Sequence, residues 1–464
     1  MTSSQALQVS SPYDGSRVGE VAYTPPADIR QALDDADRLF RRRDGWLPAD
    51  ERAGILGRAA ALLDKRRDVI IDTAIREGGK PYRDTVVEVD RAIDGMRNCA
   101  ELVRAEGGHV VPMGATPASR GRIAFTQREP IGPVLALSAF NHPVNLIVHQ
   151  IGPALAAGCP VLVKPSRDTP LSCVNVVQAL VDAGLPPAWC RVLIPASHDH
   201  TDALVRDGRV RFLSFIGSAE VGWGLRARIA PGMRCALEHG GIAPVIVDRG
   251  ANLDLAAAAV AKGGFYHAGQ VCVSVQQVFV HREAADAFME RLTALTAGLR
   301  TGNPLAHDTD VGPLIKQSEA DRVEAWIADA TQAGATLVAG GQRLAPTLIA
   351  PTILKDAPAD AKVSSKEIFG PVVSLQTYDD LDEACRRANV GGYAFQAGVF
   401  TESLETARRA YAGLNASTVM INDHSAFRVD WMPFAGLNLS GLGVGGIPHT
   451  YREMTTEKMM VLRG

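Results

Sequence analysis

Short apolar runs alternate with amphipathic stretches along most of this chain, and that alternation restricts its fold more than any other feature. "GPVLALSAF" (132–140) and "CPVLVKP" (159–165) are rich in β-branched residues and typical of buried strands. Residues 143–157 between them have helical character, and so does "PLSCVNVVQALVDAG" after them, which ends at Gly184. This order predicts right-handed βαβ crossovers and a parallel sheet, which "RFLSFIGS" and "APVIVD" extend.

A second α/β series begins near residue 241, with helices predicted over 251–268 and 283–299. In the first half, an apolar face predicts a helix within residues 84–105. "PASRGRIAFTQREP" (117–130) and "TTEKMMVLRG" (455–464) are strand-like. We expect these two segments to be arms that pair either with other elements or with a neighbouring subunit.

Charge and composition exclude several classes of protein. The formal net charge is −3, and the triple Arg41–Arg43 is typical of a solvated helix end, so we expect no nucleic-acid partner. The N-terminal segment lacks the pattern of a signal peptide, and no apolar run reaches the roughly 18 residues that span a bilayer. Seven cysteines without a C-x-x-C pair favour free thiols in a reducing cytosol and no zinc site. We therefore expect a cytoplasmic protein with no bound metal and no membrane partner.

One glycine-rich segment resembles a phosphate-binding loop without its context. "GLGVGG" (441–446) fits G-x-G-x-x-G. That fingerprint requires a strand before it and a helix after it, whereas this segment follows irregular sequence and precedes Pro448. We predict no phosphate loop there.

One cysteine, Cys272 in "HAGQVCVSVQ" (267–276), has a sequence context that the other six lack. A free cysteine has a pKa of about 8.5, so a nucleophilic cysteine needs an activating neighbour and donors for the developing oxyanion. Other short motifs offer such groups in a fixed order. They are Asn141 in "FNHP", Lys164 in "VLVKPSRDTP", Gly217 and Ser218 in "SFIGSAEVG", Glu238 in "LEHGG", and Glu367 and Phe369 in "EIFGPVV".

Together these motifs resemble the aldehyde dehydrogenase superfamily over essentially all 464 residues. The family's Gly-Gln-x-Cys pattern matches Gly269 to Cys272, and its Glu-x-Phe-Gly-Pro pattern matches Glu367 to Pro371. The resemblance implies that Cys272 attacks an aldehyde carbonyl while the Asn141 amide and the Cys272 N–H hold the oxyanion. A hydride then leaves for a nicotinamide, and Glu238 activates water to release the acid from a thioester.

The resemblance also implies the fold, the cofactor and the assembly. We expect an α/β aldehyde dehydrogenase fold with a Rossmann-like dinucleotide-binding domain (1–111 and 131–240), a catalytic domain (241–440) and an oligomerisation arm (112–130 and 441–464). The arm implies a homodimer or homotetramer. The cofactor is NAD or NADP, bound without a glycine-rich fingerprint. Its predicted contacts are Ser138, Phe140, Lys164, Ser166, Arg167, Phe215, Gly217, Ser218, Val221, Gly240, Glu367 and Phe369.

Three positions depart from the family pattern. Arg167 stands where NAD-preferring members commonly have glutamate, so it either pairs with the 2′-phosphate of NADP or points to solvent. His239 replaces an aliphatic residue beside Glu238, where it either packs or tunes the base. His267 replaces an asparagine and receives no predicted role.

The resemblance implies that the loop after the final catalytic strand lines the substrate pocket, and in this sequence that loop is polar. The loop "NDHSAFRVDWMPF" (422–434) contains His424 and Arg428, and we expect His142 and Arg91 to join them. A guanidinium suits a carboxylate, sulfonate or phosphonate. Alternatively, Arg91 pairs with Glu88, and Arg428 with Asp430 or Asp423.

These features resemble the branch that oxidises small anionic aldehydes, which includes phosphonoacetaldehyde, sulfolactaldehyde and succinate semialdehyde dehydrogenases. Val271, where phosphonoacetaldehyde-type enzymes carry arginine, counts against phosphonate. The alternatives are a general aliphatic or lactaldehyde-type dehydrogenase, a CoA-acylating member, a non-catalytic scaffold relative, or a cysteine hydrolase that pairs Cys272 with His267. Glu238 counts against the CoA-acylating type, and Lys164 and Glu367 have no use in a hydrolase.

Overall fold

The computed structural model describes residues 6–464, so the first five residues of the segment tested for a signal peptide lie outside it. Within 6–464, no helix is both long and apolar enough to cross a bilayer. The helices of this range are α1 (Pro26–Arg41), α2 (Ala49–Lys65), α3 (Arg67–Gly78), α4 (Tyr82–Ala105), α5 (Asn145–Ala157), α6 (Pro170–Asp182), α7 (His198–Val205), α8 (Ala219–Arg226), α9 (Leu253–Phe265), α10 (Arg282–Ala297), α11 (Gln317–Gln332), α12 (Lys362–Ser365), α13 (Leu381–Ala388), α14 (Leu404–Gly413) and α15 (Ile447–Glu453).

The strands of residues 6–464 form six sheets, of which two are large. They are β1 (Ala6–Ser10), β2 (Arg17–Ala22), β3 (Val110–Val111), β4 (Arg122–Pro130), β5 (Val134–Leu137), β6 (Val161–Lys164), β7 (Cys190–Val192), β8 (Phe212–Ile216), β9 (Arg234–Glu238), β10 (Pro244–Val247), β11 (Gln277–His281), β12 (Thr336–Ala339), β13 (Arg343–Ala345), β14 (Leu348–Ile349), β15 (Thr352–Lys355), β16 (Val372–Tyr378), β17 (Tyr393–Ala394), β18 (Gln396–Phe400), β19 (Thr418–Ile421), β20 (Leu437–Asn438), β21 (Gly441–Leu442) and β22 (Thr455–Arg463).

The first large sheet has the order β21-β9-β8-β5-β6-β7, and its strands are parallel except for β21 at the edge. Helices cover both faces. In β5, Val134 and Ala136 pack in the core formed with α2 to α6, whereas Leu135 and Leu137 pack on the side of α1. Because both faces are buried, these strands are continuously apolar rather than alternating. The predicted parallel sheet is confirmed.

The second large sheet has the order β12-β15-β16-β11-β10-β18-β19, and its inner strands are parallel. The helix predicted over 283–299 is present as α10. The helix predicted over 251–268 is shorter, because α9 ends at Phe265 and the backbone of His267 and Ala268 then turns to φ 48° and 53°. A helix cannot continue through residues with left-handed backbone, and this break leads directly into the segment that carries Cys272.

The two strand-like arms pair with each other. Strand β22 runs antiparallel to β4 from Thr455 opposite Pro130 to Arg463 opposite Arg122, and β3 adds a short third strand. The "GLGVGG" segment passes through β21, an antiparallel edge strand beside β9, so it does not follow a parallel strand as a phosphate loop would. The predicted domain boundaries and the role of the arm in assembly stay predictions.

Candidate active site

The carboxyl ends of the parallel strands bring the predicted residues of the first half together. Leu137 at the end of β5 is level with Lys164 on β6 and Phe215 on β8, and Ile216 is level with Glu238 on β9. The loops that follow these strands therefore start at one edge of the sheet. This edge is where open α/β sheets bind their ligands.

A cavity of about 600 Å³ opens at this edge and also reaches the second half of the chain. Its lining contains predicted residues of all three groups: Cys272, Glu238 and Asn141; Ser138, Phe140, Phe215, Gly217, Ser218, Val221, Gly240, Glu367 and Phe369; and Arg91, His142 and Arg428. Lys164, Ser166, Arg167 and His424 are not part of the lining.

The cavity also contains side chains that the sequence analysis missed. They include Asn145, Leu146, Tyr266, Arg322, Trp326 and Tyr393. Arg322 and Trp326 lie on α11 one turn apart, with the guanidinium 4.8 Å from the indole centroid. No local motif marks these positions, because the fold alone brings their elements to the cavity.

A glycine and a glutamine anchor the loop that carries Cys272. Gly269 has φ 68°, and a Cβ there would lie 2.1 Å from the carbonyl oxygen of Gly370, so a larger residue does not fit. The Gln270 Nε2 donates to the carbonyl of Pro313 at 3.2 Å, and its Oε1 accepts the N–H of Ile315 at 2.9 Å. These contacts are the physical reason for the Gly-Gln pair before Cys272.

The predicted oxyanion donor is tied to the same loop. Asn141 Nδ2 donates to the carbonyl oxygen of Gln270 at 2.9 Å in a buried contact. An amide nitrogen carries two hydrogens, so one remains for another acceptor. The contact thus sets the distance between the β5 loop and the residues just before Cys272.

The Cys272 thiol is partly buried in the cavity, and all seven cysteines are free. Burial raises the pKa of Cys272 well above its ordinary value, the charge of Glu238 raises it further, and Arg428 opposes both. Burial likewise raises the pKa of Glu238, against the charges of Arg428 and Arg91. A carboxylate with a raised pKa is a better general base near neutral pH, which is the property that water activation needs.

Arg91 forms an ion pair with a partner that the sequence analysis did not consider. Its Nη2 lies 2.7 Å from Asp430 Oδ1, and its Nε lies 3.1 Å from Asp430 Oδ2. The alternative of an Arg91–Glu88 pair is therefore wrong. Glu88 is instead buried against Lys80, with Oε2 and Nζ 2.6 Å apart, and its other oxygen accepts the N–H groups of Val144 and Asn145 at the start of α5.

Arg428 has no carboxylate partner among residues 6–464, so the alternatives that paired it with Asp430 or Asp423 are wrong. Its Cζ lies 3.6 Å from the ring centroid of Phe434, and its Nη2 lies 3.3 Å from His149 Nδ1. Arginine keeps its proton throughout the physiological pH range. A positive charge not neutralised by an ion pair therefore borders the cavity.

His424 lies away from the predicted substrate site, and His267, which had no predicted role, is buried beside His142. His424 accepts the N–H of Ala426 at Nδ1 (3.1 Å), and the structure does not bring it to the cavity. Both ring nitrogens of His267 are buried without a partner within residues 6–464, and its ring meets His142 edge-on at 6.0 Å. His267 thus forms no hydrogen bond with Cys272 in this structure, which removes the contact that a cysteine hydrolase requires.

The other end of the cavity has the features of a dinucleotide site. Glu367 Oε1 and Ser138 Oγ are buried and have no partner in the part of the chain described, and burial raises the pKa of Glu367 to about 8. A Cβ at Gly240 would lie 1.5 Å from Glu367 Oε1, so glycine makes room for that carboxyl. Helix α8 begins after Ser218 with no side-chain cap, which leaves its N–H groups for a pyrophosphate. These groups fit NAD or NADP.

Lys164 and Arg167 lie further along the same edge. Lys164 is partly buried, burial lowers its pKa, and Nζ donates to the carbonyl of Pro165 at 3.2 Å. Arg167 is exposed, and its Nη2 donates to the hydroxyl of Tyr23 at 2.7 Å. Ser166 Oγ lies 3.3 Å from Asp168 Oδ2. Both predicted alternatives for Arg167 stay open.

Residues 1–460 match the model of the aldehyde dehydrogenase family. The chain belongs to this family. It is 35% identical over 462 residues to 3-sulfolactaldehyde dehydrogenase of Priestia aryabhattai (99% of this chain, 96% of the relative). It is 37% identical over 456 residues to aspartate-semialdehyde dehydrogenase 1 of Pseudomonas canavaninivorans (98% and 96%). It is 32% identical over 460 residues to lactaldehyde dehydrogenase of Methanococcus aeolicus (98% and 97%).

Solved structures of the family have the same fold. Aldehyde dehydrogenase 21 of Physcomitrella patens, in complex with the reaction product succinate, superposes with a TM-score of 0.95 at 34% identity (100% of this chain, 96% of that chain). Glyceraldehyde-3-phosphate dehydrogenase of Methanocaldococcus jannaschii, in complex with NADP, gives 0.94 at 32% identity (100% of both chains). The predicted family, fold class, enzyme class and NAD(P) cofactor are thereby confirmed.

Proposed function

We propose that this aldehyde dehydrogenase oxidises a small aldehyde with an anionic tail to the corresponding carboxylic acid through a thioester on Cys272. The observation that carries the proposal is the guanidinium of Arg428, which borders the cavity and lacks a carboxylate partner within the described chain. The nearby Arg91 is neutralised by Asp430, so Arg428 supplies the free positive charge. Charge-assisted hydrogen bonds from arginine suit carboxylate, sulfonate and phosphonate groups.

Three residues of the cavity carry out the chemical steps: Cys272 is the nucleophile, Asn141 the oxyanion donor and Glu238 the general base. The Cys272 thiol loses its proton to solvent and its sulfur attacks the aldehyde carbon, while the free hydrogen of the Asn141 amide and the Cys272 N–H hold the developing oxyanion. Bound NAD or NADP supplies the acceptor for the hydride. The Glu238 carboxylate then takes a proton from water, the hydroxyl adds to the thioester, and the carbon–sulfur bond breaks to return Cys272 and the acid.

Sulfonate and carboxylate fit this chain better than phosphonate. Val271 precedes Cys272, at the position where the resemblance to phosphonoacetaldehyde-type enzymes implies an arginine. Two relatives named above act, by their names, on aldehydes that carry a sulfonate or a carboxylate. The second candidate is a neutral hydroxyaldehyde, because another relative is a lactaldehyde dehydrogenase.

The test compares charged and neutral aldehydes of equal length with NAD and with NADP. A charge-assisted hydrogen bond contributes roughly 1.5–3 kcal/mol, so Arg428→Ala should lower kcat/KM about 10- to 150-fold for the anionic aldehydes. The loss should lie mainly in KM, because the tail binds the ground state and the transition state alike. The neutral aldehyde should lose only the smaller part that comes from the effect of Arg428 on the pKa of Cys272 and Glu238, so the loss should be clearly larger for the anionic aldehydes.

A matched control removes an arginine elsewhere. Arg408 on α14 is exposed, and Arg408→Ala should leave every rate unchanged. If Arg428→Ala weakens the charged and neutral aldehydes equally, Arg428 does not bind the tail. The enzyme is then a general or lactaldehyde-type dehydrogenase.

We also infer that the three-stranded sheet β22-β4-β3 mediates assembly into a homodimer or homotetramer. Supporting this, apolar side chains are exposed on both faces of this sheet: Ile123, Met460 and Leu462 on one, and Met459 and Val461 on the other. Large apolar side chains left exposed together on a small sheet are typical of an interaction site. Met460→Glu should lower the mass measured by sedimentation, and an unchanged mass would remove this sheet from the interface. A cytoplasmic location stays a prediction of the sequence.

A further inference from the structure

A chain of hydrogen bonds connects the buried carboxylate of Asp430 to Arg428, which borders the cavity. Asp430, in the loop after β19, accepts at Oδ1 from the Nε2 of His149 on α5, at 2.7 Å. The other ring nitrogen of His149, Nδ1, lies 3.3 Å from the Nη2 of Arg428. Asp430 and His149 are both buried, and Arg91 and Asn145 occupy the remaining positions around the carboxylate.

Asp430 and Arg428, which contact the two ring nitrogens of His149, determine its tautomer. Burial would raise the pKa of Asp430, but the hydrogen bonds from His149 and Arg91 outweigh it and hold the pKa well below its ordinary value. Burial lowers the pKa of His149 to about 4. A neutral imidazole has one N–H, and an ionised carboxylate only accepts, so Nε2 carries the hydrogen. Nδ1 is then an acceptor, and the Arg428 guanidinium donates to it.

A neutral acceptor has a different effect on Arg428 from that of a carboxylate. A carboxylate at the same place would hold the guanidinium but would also neutralise it, as Asp430 does for Arg91. Neutral His149 accepts a hydrogen bond from one nitrogen of Arg428 and leaves the positive charge of the guanidinium available to a ligand. The Arg428 Nε has no partner within residues 6–464, so the contact with His149 and the ring of Phe434 are what orient the group.

We propose that His149 is a positioning residue for substrate specificity: with its tautomer set by Asp430, it directs the un-neutralised guanidinium of Arg428 toward the anionic tail of the aldehyde. This inference rests on the proposed function, since it requires that the substrate carries an anion. His149 itself touches neither the aldehyde carbon nor the cofactor in this assignment. Its effect on the anionic tail passes through Arg428.

Two substitutions separate the two nitrogens of the ring. His149→Asn keeps an acceptor close to the position of Nδ1 but is too short to reach Asp430. His149→Gln reaches Asp430 with an amide donor but puts no acceptor at the position of Nδ1. We expect His149→Gln to raise KM about tenfold for a sulfonate- or carboxylate-bearing aldehyde, with kcat nearly unchanged. His149→Asn should recover most of that loss.

The neutral aldehyde of equal length and the melting temperature serve as controls for an intact site. Arg428→Ala is measured alongside, because it tests the anionic substrate independently of His149. If Arg428→Ala is selective for the anionic aldehyde but His149→Gln leaves its KM unchanged, the positioning role is refuted and the proposed function stands.

Two other outcomes also overturn the inference. Equal losses for the charged and neutral aldehydes in His149→Gln would show that His149 only supports the fold. A loss in His149→Asn as large as that in His149→Gln would show that the acceptor at Nδ1 is not what matters. If Arg428→Ala shows no selectivity, the proposed substrate class fails, and this inference fails with it.

Discussion

The side-chain amide of Asn141 has a catalytic and a structural contribution, and two different measurements report their loss. In the structure its Nδ2 donates to the carbonyl of Gln270 at 2.9 Å, and the side chain lines the cavity with Cys272. One amide hydrogen therefore supports the nucleophile loop, and the other is available to the oxyanion. Asn141→Ala removes both.

Loss of the oxyanion donor and loss of the hydrogen bond to Gln270 differ in free energy, and a reaction rate reports the first whereas stability reports the second. Loss of one oxyanion donor typically costs about 10²–10³ in rate, about 2.7–4 kcal/mol. Loss of the hydrogen bond to Gln270 costs roughly 1 kcal/mol and appears mainly in the free energy of unfolding. We expect acylation to slow 100- to 1000-fold, with a small fall in melting temperature.

Rapid mixing of enzyme, cofactor and aldehyde, followed by the absorbance of reduced nicotinamide, measures acylation in the first turnover. Asn141→Asp is the matched control, because it keeps the size of the side chain but replaces the N–H donor with a carboxylate that repels an oxyanion. It should acylate no faster than Asn141→Ala. An acylation rate for Asn141→Ala within tenfold of the wild type would refute the assignment of Asn141 as an oxyanion donor.

Three further predictions concern the base, the cofactor and pH. Glu238→Gln should give a burst of one reduced cofactor per active site and then slow turnover, whereas normal steady-state rates would mean that another group activates water. Arg167→Glu should shift kcat/KM toward NAD; an unchanged ratio of NADP to NAD would place Arg167 among the plain surface residues. Burial raises the pKa of Glu367 from 4.5 to about 8. Between pH 4.5 and about pH 8, the folded state therefore binds a proton at Glu367 that the unfolded state has lost. Stability without cofactor should therefore fall as pH rises through this window, and Glu367→Gln should reduce the slope by about 1.4 kcal/mol per pH unit; identical slopes in denaturant titrations would contradict the raised pKa.

Much of the fold could be predicted because its signals are local. Strands covered on both faces are continuously apolar, so β5, β6 and β8 could be recognised from their own residues and the parallel sheet inferred from the helices between them. The catalytic residues could be predicted for a related reason. The backbone before Cys272 requires glycine at position 269, where φ is positive, and a glutamine at position 270 that hydrogen-bonds Pro313 and Ile315. Because both requirements fall on adjacent residues, they produce a short motif that can be recognised in the sequence.

The tertiary structure alone decided which charged groups meet. Arg91 lies near Glu88 in the sequence, yet it pairs with Asp430, which is 339 residues away. His149 sits in an all-buried helix that carries no motif, and only the packing of α5 against the 422–434 loop brings it between Asp430 and Arg428. The sequence analysis also predicted His424 at the substrate site, but the 422–434 loop holds His424 outside the cavity. A buried charge needs a partner but does not specify its distance along the chain, so such pairs depend on which elements the fold brings into contact.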